Sequence, residues 1–218
     1  MPDISKINNV AVADISKLDS ITFAHGMKVN NQDVSLITDA HTLIATATAS
    51  ASATLSFTTG IDSTYDAYEF RYENIHPATD AAIFGFQVNA AGASGFNEVI
   101  TSTAFDAYHH ESDTAAVLGY RTAGDQAQGT AYQRITLDVG NDNDQSASGI
   151  LTLYAPSSTT YVKHFTSNAN GANPDQNTVN EYTAGYINVT TAIDEISFKF
   201  SSGNIDAGQI KMYGIAKA

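Results

Sequence analysis

Apolar and polar positions alternate with a period of two along most of the chain, in short runs broken by turn-forming residues. In 67–73, Tyr68, Phe70 and Tyr72 share one face while Glu69, Arg71 and Glu73 share the other. In 195–200, Ile196, Phe198 and Phe200 oppose Glu195, Ser197 and Lys199. This pattern predicts strands over 53–58, 67–74, 82–89, 96–101, 116–121, 132–139, 149–155, 160–167, 181–188, 194–200 and 208–215. The last is interrupted at Met212-Tyr213, as a bulge would interrupt it. An earlier strand is read from Leu43, Ala45, Ala47 and Ala49, with a bend near Ser50–Ser52 before Leu55-Ser56-Phe57. Gly60–Asp62, His76-Pro77, Gly92–Gly95, Gly124-Asp125, Gly140–Asp144, Pro156–Ser158, Asn168–Asp175 and Ser202–Asp206 separate the runs. The segment 103–114, TAFDAYHHESDT, is read as a helical or irregular insert. Short strands at this spacing predict an all-β protein: an antiparallel two-sheet β-sandwich, jelly-roll-like, over 41–218.

The first 40 residues follow a different rule. DISKINNVAVA at 3–13 is repeated as DISKLDSITFA at 14–24, a period of 11. A hendecad coiled coil has that period. Asn8-Asn9 and Asp19-Ser20 are turn formers inside each unit, and Val10, Val12, Ile21 and Phe23 alternate with small or polar residues. The preferred reading is two short extended segments, each with a turn; a disordered N-terminal tail is the bland alternative. Two such units cannot bury their apolar residues alone. Residues 1–40 are therefore read as an extended anchoring arm and connector, with a further turn signal at Asn30-Asn31. Ile4, Ile7, Val10, Val12, Ile15, Leu18, Ile21 and Phe23 are its contact residues.

Charge narrows the function classes. Ten Lys+Arg against 23 Asp+Glu give a net charge of −13. That opposes nucleic-acid binding, which needs cations for phosphates, and docking on anionic membranes. Cysteine is absent, which excludes thiolate metal sites, disulfides and cysteine nucleophiles. The start MPDISKINNV has no basic stretch followed by an apolar run, so no signal peptide is read there, and no run is long enough for a spanning helix.

The candidates for chemistry are few. Asp106, His109, His110, Glu111 and Asp113 crowd 106–113, but their spacing matches no metalloprotease motif. Asp142 and Asp144 in GNDNDQS offer oxygen ligands of the calcium type without the glycine and distal Glu of an EF-hand; a plain inter-strand turn explains the same residues. Glu69, Glu73, Glu98 and Asp138 are the carboxylates that strand pairing would have to unite for glycoside hydrolysis. There is no GxSxG elbow, P-loop or GxGxxG. The expectation is a non-enzyme with no cofactor. Tyr108, Tyr132 and Tyr182, with His109 and His110, form the candidate contact surface, because a ring with a polar tip suits sugars and protein partners.

The arm's ISKIN…DISKL repeat resembles the N-terminal anchoring segments of tailed-bacteriophage virion proteins. The body resembles marine-phage structural proteins in TLSFTTGIDSTYDAYEFRYENIHPATD (54–80), GNDNDQSASGILTLYAPSSTTYVKHF (140–165) and SSGNIDAGQIKMYGI (201–215). The resemblance implies a β-sandwich in a virion made in the host cytoplasm. It implies a tail fibre or appendage part, held to other virion proteins through residues 1–40 and presenting its body to a host-surface glycan or tail protein. A homo-oligomer is implied, and trimers are usual for such fibres. The alternatives are a capsid-surface decoration protein clamped by the arm, and a particle-borne glycan hydrolase. No catalytic residue comes with the resemblance.

Overall fold

A computed structural model describes residues 41–216, together with four two-residue strands near the N-terminus. The chain divides into two compact units, Met1–Ala40 and His41–Ala218. In the first, β1 (Lys6–Ile7) pairs with β2 (Val10–Ala11), and β3 (Lys28–Val29) with β4 (Gln32–Asp33), both antiparallel. Ile7 and Val10 are register partners. The arm residues Ile4, Val12, Ile15, Leu18, Ile21 and Phe23 lie outside the described residues.

The second unit is an antiparallel β-sandwich, as the alternation predicts. Its strands are β5 (His41–Thr48), β6 (Leu55–Phe57), β7 (Ala67–Pro77), β8 (Phe84–Ala90), β9 (Ile100–His110) and β10 (Ala116–Tyr120). They continue with β11 (Gln133–Arg134), β12 (Ala147–Tyr154), β13 (Lys163–Ala172), β14 (Asn177–Ile187), β15 (Ile193–Phe200) and β16 (Ile205–Ile215). Eight strands form one sheet in the order β10-β9-β14-β13-β12-β7-β16-β5, and four form the other in the order β11-β8-β15-β6. Among the described residues no helix is long and apolar enough to cross a membrane.

The core lies between the sheets and is built of rings. Phe198 of β15 sits 5.6 Å from Phe70 of β7 and stacks on Phe84 of β8 at 5.9 Å. Tyr72 packs on Phe84, and Phe86 on Phe165 of β13. Each comes from an inward position of an alternating strand, which is why one-residue register slips are excluded. Irregularities fall where the alternation falters: β16 shifts register against β5 between Met212 and Tyr213. A second shift lies around Gly208, whose φ of +105° brings its α-carbon so near Asn74 that a side chain would lie 2.5 Å from the Asn74 carbonyl oxygen.

Three expectations change. The segment 103–114 is no insert: residues 100–110 are a continuous strand hydrogen-bonded on both sides, by β10 and by β14. Its residues alternate as strictly as any, but Ser102, Asp106, Tyr108 and His110 replace the usual aliphatic inward set. The strand expected at 160–167 runs on to Ala172, through Asn168 and Asn170, because their inward neighbours Ala169 and Gly171 are small and the long partner β14 pairs with them. The strand expected at 132–139 is cut to Gln133–Arg134, because the Ile135 and Thr136 amides both donate to the Phe84 carbonyl and the ladder breaks there, leaving only an isolated bridge between Ala82 and Val139.

Candidate functional site

The large sheet is wider than the small one, and its β10-β9-β14 flank is closed by polar chemistry. Asp106 of β9 and Glu181 of β14 are register partners, both buried and both inward. Each has its own arginine. Arg134 reaches Glu181 through Nε, which donates to Oε1 at 3.0 Å and Oε2 at 3.2 Å, and through Nη2, which donates to Oε2 at 3.0 Å. Arg121 Nε lies 2.6 Å from Asp106 Oδ1, with its guanidinium 5.6 Å from the centre of the Tyr108 ring. Gln133 fastens the covering loop: its Nε2 donates to Gly124 O at 2.8 Å, and its Oε1 accepts from Ser102 Oγ at 2.6 Å. Asp106 Oδ2, Thr183 Oγ1 and Gln126 Oε1 are buried and receive no hydrogen bond among the described residues.

Burial pushes the Glu181 carboxyl above its ordinary value, against the opposing pull of Arg134. The Asp106 hydrogen bond raises the Arg121 guanidinium further, so it stays charged. The paired carboxylates are thus shut away from solvent, and arginines hold both oxygens of Glu181 and one of Asp106. That is the arrangement of a structural charge cluster rather than of an acid and base awaiting substrate. A second buried cation, Lys163, is tied by Nζ to the carbonyls of Val189, Thr190 and Thr191 at 2.7–3.1 Å, and burial lowers its pKa.

The opposite, outward face of the same strands is the reverse. Taking alternate residues from Ser148 to Tyr154, His164 to Ala172, Thr178 to Tyr186, Thr101 to His109 and Ala116 to Tyr120, none is Asp, Glu, Lys or Arg. Five adjacent strands present only Thr, Ser, Asn, Ala, His, Tyr, Phe, Ile and Leu. Phe105 and Tyr182 are cross-strand partners whose rings stack at 5.1 Å and 11°, and they are 43% and 39% exposed. Tyr120, opposite Phe105 on β10, is 55% exposed, and Leu118 is 73% exposed. Beside the stack, Thr103, Thr166 and Ala184 leave a dent of about 170 Å³. A wider depression of about 710 Å³ opens toward His109, Leu118, Asn170 and Asn180.

The expected contact residues are only partly gathered here. Tyr182 and His109 lie on this face; the His109 ring nitrogen Nε2 is 3.1 Å from Asp113 Oδ1. Tyr108 and His110 alternate to the inward side, Tyr108 under Arg121 and His110 against Ser112, whose amide donates to its Nδ1 at 3.0 Å. Tyr132 stands just before β11 and packs on the other sheet: its hydroxyl donates to Ser197 Oγ at 3.1 Å, and Lys199 Nζ lies 4.2 Å over its ring. Sequence reasoning missed Phe105, Leu118 and Tyr120. The signal was the alternation Thr103, Phe105, Ala107, His109, hidden by reading 103–114 as an insert.

The remaining candidates are dispersed. Glu69 pairs with Arg71, Glu73 with Lys211 and Gln209, and Glu98 accepts from the Ala90 amide. Asp142 and Asp144 are exposed in a turn closed by the Gln145 amide on Asp142 O at 2.8 Å. No group of three His, Cys, Asp or Glu side chains is placed to hold a metal among the described residues. Comparisons with protein-family models, with curated proteins and with solved structures return no match.

Proposed function

We propose that this protein is a structural component of a tailed-phage virion, a tail fibre or appendage part whose residues 1–40 anchor it and whose β-sandwich is displayed for contact. The observation that carries the reading is the uncharged, aromatic outward face of β10-β9-β14-β13-β12 in a chain of net charge −13. A surface kept free of charge over five strands, with a stacked aromatic pair at its centre, is a contact surface rather than a solvated one. The carboxylates of these strands, Asp106 and Glu181, are turned inward and paired with Arg121 and Arg134, which keeps acidic charge off the outward face. The 11-residue repeat ahead of the body supports attachment, since two repeat units need neighbours to cover their apolar residues.

The test is the copy number of the chain in purified virions, by quantitative mass spectrometry against the major capsid protein. A number matching the symmetry of the tail is expected. A number tracking the capsid lattice replaces the fibre reading with a capsid decoration. Absence from purified particles overturns the virion reading. Deleting residues 1–40 is expected to leave a folded body that no longer enters particles.

A further inference from the structure

We infer that the uncharged outward face, together with the free edge of β10, is where a second copy of this chain docks. Three observations converge on that occupant.

The first is the edge. β10 pairs only with β9 among the described residues and ends the sheet. Edge strands are ordinarily blunted by lysine, proline or a bulge, because bare backbone donors and acceptors recruit further strands. β10 reads AVLGY and has none of these; Val117 on one side and Leu118 on the other are both exposed. An edge apolar on both faces is built to be covered.

The second is charge. Copies carrying −13 each repel, and most surfaces would bring carboxylates together. On the uncharged face two copies approach without placing a like pair in contact, and Asn168, Asn180 and Thr166 offer uncharged hydrogen-bonding groups. The carboxylates nearest the face stand at its rim, Asp125 holding the Tyr120 hydroxyl and Asp113 beside His109.

The third is size. Five strands at strand spacing and about eight residues of length cover roughly 600 Å². A stable interface takes about 800 Å² from each partner. The face supplies most of that, and the covered edge of β10 supplies the rest. Tyrosine and phenylalanine are the side chains enriched in such interfaces.

This inference stands apart from the virion reading, since a chain that self-associates need not be in a particle and one in a particle need not self-associate this way. It is tested on the full chain by light scattering over a wide range of concentration. The expected mass is a whole multiple of the chain mass. Leu118→Lys, which blunts the edge, and Asn168→Glu, which charges the centre of the face, are each expected to give monomers with unchanged circular dichroism and melting. Thr46→Glu, on the charged half of the same sheet, is expected to stay assembled. Wild-type protein that is monomeric throughout overturns the inference, as does an assembly that survives both variants, which places the contact elsewhere. A monomer that binds neutral glycans and loses them in both variants also overturns it, and assigns the face to a carbohydrate.

Discussion

The outward face of the eight-stranded sheet changes character between β12 and β7. On one side, β7 and β16 carry Glu69, Arg71, Glu73 and Lys211, joined in ion pairs, with Arg71 lying 4.8 Å over the Tyr213 ring. On the other side, five strands carry no charge outward and hold their acids inward, against Arg121 and Arg134. The two halves share one sheet and one twist, so backbone geometry does not explain the contrast. Inward, the charged half meets the ring-filled core under the small sheet, while the β10-β9-β14 flank is covered by the loop after β10, which supplies Arg121, and by β11, which supplies Gln133 and Arg134. The lesson is that the charged side chains of a strand follow the polar layer: where the covering loop and β11 are polar, the acids turn inward and the open face is left uncharged.

The sharpest break of the comparison comes from its arginines. Arg134→Ala strands Glu181 as a buried, unpaired carboxylate and is expected to cost about 3–5 kcal/mol. Arg71→Ala, in a partly exposed pair, is expected to cost under about 1 kcal/mol. Denaturant unfolding of the two variants checks this, and equal costs would remove the distinction between the halves.

Next in size is the close approach of β9 and β14. A methyl on Gly185 would collide with the Thr101 carbonyl and the Ser102 Cα, so Gly185→Ala is expected to destabilise by about 1–3 kcal/mol. Gly119 on β10 has open space around it, and Gly119→Ala is expected to stay within about 0.5 kcal/mol. Thermal melts separate the two.

The pH dependence of Glu181 has a definite sign. Its carboxyl is raised in the folded chain, so the native state holds the proton more tightly than the unfolded state between the two values. This contribution to stability is present in full below the ordinary carboxylate value and is lost as pH rises through the folded one. Raising pH from about 4 to about 7 is therefore expected to move the stability comparison with Glu181→Gln toward the Gln variant. A move toward the wild type would show that Arg134 overrides burial.

The smallest effect is at the surface. The Phe105–Tyr182 stack is expected to contribute about 0.5–1 kcal/mol of coupling in a double-mutant cycle with alanine. Additive single losses would mean the rings stand side by side without energetic consequence for the fold.

How much of this was legible in the sequence follows from the physics of each part. The sandwich was, since Tyr68, Phe70 and Tyr72 or Ile196, Phe198 and Phe200 announce inward faces by hydrophobicity. The β9 flank was not, because its inward residues include Ser102, Asp106 and Tyr108, and hydrophobic alternation is silent where the inside is polar. The Asp106–Glu181 pairing joins residues far apart in the chain through a register that only the folded ladder fixes. Tyr182 was singled out for its ring alone. Its stacking partner Phe105 was hidden in a segment whose histidines and acids suggested a loop.

The claim at the centre of this account is that the uncharged half of the sheet is a contact face. Hydroxyl-radical footprinting of the full chain at low and high concentration, read by mass spectrometry, tests it most directly. The prediction is that labelling of Phe105, Leu118, Tyr120 and Tyr182 falls as the chain associates, while Leu43 and Tyr213 on the charged half keep theirs. Undiminished labelling of the four, or protection confined to Leu43 and Tyr213, would contradict it.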